Sequence, residues 1–340
     1  MRMFTLFASI FAWSFLFGKE DKPIDNNLLE KREVNGEEIY FLKNEKEPYT
    51  GRSVENYDNG KKLFDTYSKG KWSGPATEYY PNGIKSYQDF YENGKMVFAK
   101  SWKPDGSICD VTQAIDGNGV VQTYHPNGKQ QWRATYRNGF DEGLQYRWHE
   151  NGQKRSEINY KDGKKDGLTT FWYDNGKKKD ESYWKDGKQD GLTTHWYDNG
   201  QKKAEGNYKD GKQDGLAIGW YENGQKKAEG HWKDGKQNGV SKEWYENGRK
   251  ESESNWKNGK PEGLTTRWYE NGQKEREATF KNGKQDGTTT FWHNNGQIRE
   301  VSNFVDGKLH GNSKIFDISG KETLRRHYLN GAITLEHKAP

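Results

Sequence analysis

Three glycine series recur along this chain with one common period. The first falls at Gly128, Gly152, Gly176, Gly200, Gly224, Gly248, Gly272, Gly296 and Gly320, every 24 residues. The second runs from Gly139 through Gly163, Gly187, Gly211 and Gly235 to Gly331, and the third from Gly143 through Gly167, Gly191 and Gly215 to Gly311, both at the same spacing. Upstream, the first series continues at Gly106, Gly83, Gly60 and Gly36 with spacings of 22, 23, 23 and 24. Chance does not register three series, so the chain is an array of one supersecondary unit that buries its apolar face only against its neighbours.

One unit reads from Gly200 to Gly224. Asn-Gly and Asp-Gly between aromatic or β-branched segments are strong short-range hairpin signals. Two such turns per period leave two strands of about seven or eight residues. The expected fold class is all-β: tandem β-hairpin repeats forming an elongated, twisted, mostly single-layer antiparallel meander. Gly152, Gly176, Gly200, Gly224, Gly248 and Gly272 are expected at one set of turns, and Gly163, Gly187, Gly211 and Gly235 at the other. The third series marks a bulge or bend.

Proline precedes three of the turns, at Pro81, Pro104 and Pro126. Proline presets φ for a type I turn and removes a ladder donor, which favours three-residue loops with a left-handed glycine bulge. Applied to every turn, that geometry pairs even residues with even residues. One face then collects Leu216, Ile218, Trp220, Ala204, Gly206 and Tyr208; the other collects His195, Tyr197, Lys203, Glu205 and Asn207. Two aromatic rows are expected to rim one apolar trough. Trp148, Trp172, Trp196, Trp220, Trp244, Trp268 and Trp292 run beside the Asn-Gly turns, and Tyr160, Trp184, Tyr208, Trp232, Trp256, Phe280 and Phe304 beside the Asp-Gly turns. Such rows stabilise a thin sheet, and they also suit a protein surface or a cell-wall glycan as a partner.

Hydrophobic residues make up 30% of the chain, too few for ordinary packed domains, while aromatics at 14% argue against disorder. The net charge of +5 is interspersed in sign, which is no nucleic-acid stripe. Arg2 precedes an apolar run, Phe4 to Phe17, too short for a comfortable membrane span and suited to a signal peptide. Membrane contact by the repeats is allowed but nothing points to it. The domain expectation is a signal peptide at 1–18, a cap with a degenerate first repeat at 19–50, the array at 51–331 and a tail at 332–340.

The unit Trp-Tyr-Glu-Asn-Gly-Gln-Lys, followed by Tyr-Lys-Asp-Gly-Lys-Gln-Asp-Gly-Leu, resembles the bacterial variant of the MORN repeat found in YwqK-type antitoxin-like proteins. The resemblance spans residues 51 to 331. It implies hairpins stacked edge to edge and a non-enzymatic, protein-binding or membrane-proximal role. Neutralisation of a toxin is the antitoxin-like alternative, from which an export signal departs.

No catalytic residue, metal site or cofactor is expected. His149 and His293 sit in a slot otherwise held by Tyr, and His195 in one held elsewhere by Phe171. No His-Glu-x-x-His, paired Cys, Gly-x-Ser-x-Gly or phosphate loop occurs. Asp-Gly pairs such as Asp186 to Gly191 are turn chemistry, since calcium wants six to eight converging oxygens and Lys188 intervenes. The expected function is a non-enzymatic scaffold mediating protein–protein interaction in the cell envelope or outside the cell, with carbohydrate binding on the aromatic rows as the alternative.

Overall fold

A computed structural model describes residues 22–338, apart from 36, 59, 93 and 94. The run Phe4–Phe17 and the first glycine start, at 36, lie outside the described residues. Among those described, the chain is almost entirely strand, with one 3-10 turn at Asn26–Leu28. It divides into two compact units, Met1–Gly176 and Lys177–Pro340.

In the first unit the meander begins at Gly51–Asn56 and Lys62–Ser68 and ends at Lys154–Lys161 and Lys164–Trp172. Its first strand is flanked by a short parallel pairing of Ile24–Asp25, in the register Ile24 to Ser53. A separate hairpin, Leu29–Val34 with Glu37–Leu42, is tied on by Tyr40 N donating to Gly70 O at 2.8 Å. The sheet curls: Lys61, 2% exposed, reaches Glu78 and the Gln131 side chain, each at 2.8 Å. Inside the curl Met96, Ala99, Ala114 and Val121 form a small core, flanked by Tyr87, Tyr91, Trp132 and Tyr136.

The second unit is an antiparallel meander from Lys178–Lys185 and Lys188–Trp196 to Glu322–Leu329 and Ala332–Lys338. In both units the two turns of each repeat differ in kind. At the Asn-Gly turns, Gly200 N donates to Tyr197 O at 2.9 Å, Tyr197 N donates to Gln201 O at 2.8 Å, and only Gly200 has positive φ, at 91°. That is the expected three-residue loop, a type I turn closed by a left-handed glycine. At the Asp-Gly turns both central residues are left-handed, Asp210 at 50° and Gly211 at 81°, and Lys209 pairs with Lys212. That is a two-residue type I′ turn, whose twist matches the strands it joins.

The difference overturns the expected even-to-even register. A two-residue turn pairs odd with even: Gly206 faces Ala217 and Ala204 faces Gly219. Beyond each three-residue loop of the second unit a bulge adds one residue, whereas the Gly60 hairpin of the first unit has none and pairs even with even, Arg52 with Thr66. Trp196 pairs with Lys202 but His195 pairs with Ala204, leaving Lys203 extra. In the second unit both hairpins therefore shift by an odd count, and the even residues of successive strands lie on opposite faces. The third glycine series does mark an irregularity, since the register slips between Gly206 and Tyr208, opposite Gly215.

Candidate functional site

Alternation along the paired strands sorts every candidate residue onto a face. In the second unit, Thr193, Gly206, Ala217 and Gly230 oppose one another across successive strands, as do His195, Ala204, Gly219 and Ala228. Tyr208 and Trp232 share this face. It is the inner one: Gly206 and Gly230 are buried, while Leu192 and Leu216 on the other face stay exposed. Thr194, Glu205, Ile218 and Glu229 oppose one another on the outer face, together with Leu192, Leu216 and the tryptophans Trp196 and Trp220.

The two aromatic rows thus lie on opposite faces and do not rim one trough. Trp196, Trp220, Trp244, Trp268 and Trp292 are outer; Trp184, Tyr208, Trp232 and Trp256 are inner. In the first unit Trp148 and Trp172 share a face with Leu144 and Leu168, while Tyr160 lies opposite, with Ser156 and Ile158. Leu216, Ile218 and Trp220 therefore share the outer face with Glu205 and Asn207, and His195 stands with Ala204 on the inner one.

Each outer tryptophan is covered by a lysine from the adjacent strand. Lys202 Nζ lies 5.7 Å from the centroid of Trp220, Lys226 5.6 Å from Trp244 and Lys250 5.2 Å from Trp268. The same lysines pair with a glutamate three residues on: Lys202 with Glu205 at 2.6 Å and Lys226 with Glu229 at 2.8 Å. These carboxylates anchor the ammonium over the ring, so the tryptophan faces are committed to holding adjacent strands together. What stays open beside them is an aliphatic stripe, Leu192, Leu216, Val240 and Leu264, 38–50% exposed. Its members recur every second strand, roughly 9–10 Å apart.

A second stitch runs through the slot of the histidines. Tyr197, Tyr221 and Tyr245 donate their hydroxyls to Trp220 O, Trp244 O and Trp268 O at 2.7–2.8 Å. His149 Nε2 makes the same bond to Trp172 O at 3.0 Å, and His293 to Phe316 O at 3.1 Å. The residue just before each third-series glycine forms a third stitch. Asp190 accepts from Asp210 N at 3.3 Å and Glu262 from Asn282 N at 2.7 Å, holding the next type I′ turn. Sequence reasoning missed both stitches; the recurrence of Tyr or His, and of Asp, Asn or Glu, in fixed slots was the available signal.

The inner face of the second unit opens into a shallow cavity of about 310 Å³ between Tyr208 and Trp232 on one side and His195 and Glu243 on the other. Its floor is Ala204, Gly206, Ala217, Gly219 and Gly230. The backbone does not require these glycines. A Cβ on Gly219 would meet only Lys203 O at 3.9 Å, and the equivalent slots hold His195 and Glu243. His195 Nδ1 meets Asp180 Oδ1 at the rim. Among the described residues no three His, Cys, Asp or Glu side chains converge as a metal site would need.

A family profile described as MORN repeat variant matches eight segments: residues 72–93, 141–162, 165–186, 189–210, 213–234, 237–258, 261–282 and 285–306. Together they cover just over half of the chain. The largest gap between matched segments, 94–140, holds the 22-residue spacing from Gly106 to Gly128. No curated protein matches. Among solved structures, the crystal structure of TcdB2-TccC3-Cdc42 is similar at 10% identity over 95% of this chain and 21% of its own, with a TM-score of 0.18. The chain spans about a fifth of that protein, and at this score the likeness carries no argument.

Proposed function

Because the chain belongs to the MORN repeat variant family, a non-catalytic repeat type, we propose that it is a scaffold that binds a protein partner along its outer face. One observation carries this reading: the stripe Leu192, Leu216, Val240 and Leu264 stays exposed on four successive repeats, while the neighbouring tryptophans are capped by lysine. A continuous apolar stripe flanked by balanced charge suits a protein surface, which several repeats would engage at once. Adjacent repeats present the same chemistry, so affinity grows with the number engaged. The apolar run Phe4–Phe17 supports export, and with it a partner in the envelope or outside the cell.

A photocross-linking residue placed at Leu216, and in a second variant at Ala217, separates the faces in the native host. We expect a covalent adduct of defined protein mass from Leu216 and none from Ala217. Adducts from Ala217 alone would assign binding to the inner face; adducts from neither would overturn the scaffold reading. Cell fractionation tests export: a full-length product confined to the cytoplasm would refute it and favour neutralisation of a cytoplasmic partner.

A further inference from the structure

We propose that a cleft in the first unit, separate from the outer stripe, binds a carboxylate-bearing pyranose of the uronate type. The cleft measures about 300 Å³ and lies where the Asn-Gly ends of several hairpins meet. Its walls carry two arginines, Arg147 and Arg155, three aromatic residues, Tyr57, Tyr87 and Trp132, and one histidine, His125; Trp148 joins them through its backbone, since its ring stacks on Tyr146 on the other face.

The polar inventory of these walls is unbalanced in a specific way. Neither Arg147 nor Arg155 has an ion pair or side-chain hydrogen bond among the described residues. Trp132 Nε1 is buried and donates to nothing. The one carboxylate lining the cleft, Glu78, is already held by Lys61 Nζ at 2.8 Å and by Ser86 Oγ at 2.5 Å. Both guanidiniums and the Trp132 N–H thus have no hydrogen-bonded acceptor, and the carboxylate whose charge Arg147 feels is Asp141. A buried indole N–H without a partner costs free energy that an acceptor from a ligand would recover.

His125 adds the opposite requirement. It is 7% exposed, and its Nε2 lies 2.9 Å from Trp148 O. A carbonyl accepts only, so Nε2 carries the proton, which in the Nε2–H tautomer leaves a lone pair at Nδ1. That atom is buried and unpartnered. It asks for a hydroxyl or another donor. The ligand must then combine an anionic group for the guanidiniums, a hydroxyl for His125 Nδ1 and a ring body that aromatic walls can cover. A carboxylate matches the guanidinium fork, and a pyranose supplies the hydroxyls and the C–H face. Free phosphate supplies the anion and nothing for the rings.

Calorimetric titration of the full chain with D-glucuronate, D-glucose and inorganic phosphate tests the assignment. We expect saturable glucuronate binding, at least about tenfold weaker binding of glucose, and a loss of about tenfold or more in the double variant Arg147→Ala, Arg155→Ala. His125→Tyr is the second variant. Tyrosine makes the same bond to the next repeat's carbonyl elsewhere in the array, as Tyr221 does to Trp244 O at 2.8 Å, so the fold is kept while the Nδ1 acceptor is removed. We expect it to bind glucuronate about fivefold more weakly with an unchanged circular-dichroism melt. Glucose binding as tightly as glucuronate would overturn the proposal. So would equal displacement by phosphate, or wild-type affinity in both variants.

Discussion

Asp89 lies inside the curl of the first unit, 4% exposed, with Oδ1 unpartnered. Burial raises its pKa from 3.8 to about 7, against the pull of the Tyr87 and Tyr91 hydroxyls, and Asp65 adds a like charge nearby. The native carboxyl keeps its proton where the unfolded one has lost it. Its contribution to stability is therefore full below pH 3.8 and is lost as pH rises to about 7. Asp89→Asn should stabilise the first unit at pH 8 by a few kcal/mol, about 1.4 kcal/mol for each tenfold difference in proton affinity between the folded and unfolded chain, and do little at pH 4. Denaturant melts at the two pH values check this; equal effects at both would refute it. The stitching tyrosines give a smaller residue-scale effect. Tyr221→Phe removes the bond to Trp244 O and should cost about 1 kcal/mol, read as a lower melting midpoint.

Within a hairpin, the single bulge residue decides which side chains face in. Lys203 is the extra residue between the three-residue loop and the ladder that pairs His195 with Ala204. Deleting it would turn Glu205 and Asn207 toward the small-residue floor and Ala204 and Tyr208 outward. We expect lost amide-exchange protection at Thr193 and Gly206 and a destabilisation above about 3 kcal/mol, since the ladder must slip or bury charge. Lys203→Ala keeps the count and should cost well under about 1 kcal/mol. Comparable losses from deletion and substitution would show that side-chain chemistry, and not residue count, sets the register.

Across the second unit, the stitches between repeats are local. Tyr197 reaches Trp220, Asn199 reaches Glu222 O, and Asp190 reaches Asp210 N, each joining one repeat to the next. Such an array should tolerate whole periods being removed. Deleting Gly200 through Asn223, one full period, should leave a folded, shorter chain. Deleting about half a period would join an Asn-Gly end to an Asp-Gly end and break both stitches, and should disrupt folding. Circular-dichroism melts separate the two; equal tolerance would count against the repeat unit. The two faces also respond differently. Leu192→Ser, Leu216→Ser and Val240→Ser together should abolish partner capture with little change in melting, because these side chains are already half in water. Trp196→Ala with Trp220→Ala and Trp244→Ala removes rings that hold lysines of adjacent strands and should lower the melting midpoint as well. Glu205 is no opposite-face control for those tryptophans, since it shares their face and anchors Lys202.

The period, the strands and the turn positions were written in the sequence, because glycines and Asn-Gly or Asp-Gly pairs act locally, through φ. The three-residue geometry was legible at the turns of the first glycine series, where Pro81, Pro104 and Pro126 restrict the chain. The aromatic rows were legible as rows, but their placement on one face was not. Face is a count of residues modulo two, and two features invisible to local propensity change that count: the type I′ choice at Asp210-Gly211 and the bulge at Lys203. The lysine caps on the outer tryptophans depend on contacts between paired strands, and the cleft of His125, Trp132, Arg147 and Arg155 on how the first unit curls. Local chemistry fixed the repeat; pairing between strands decided what each face presents.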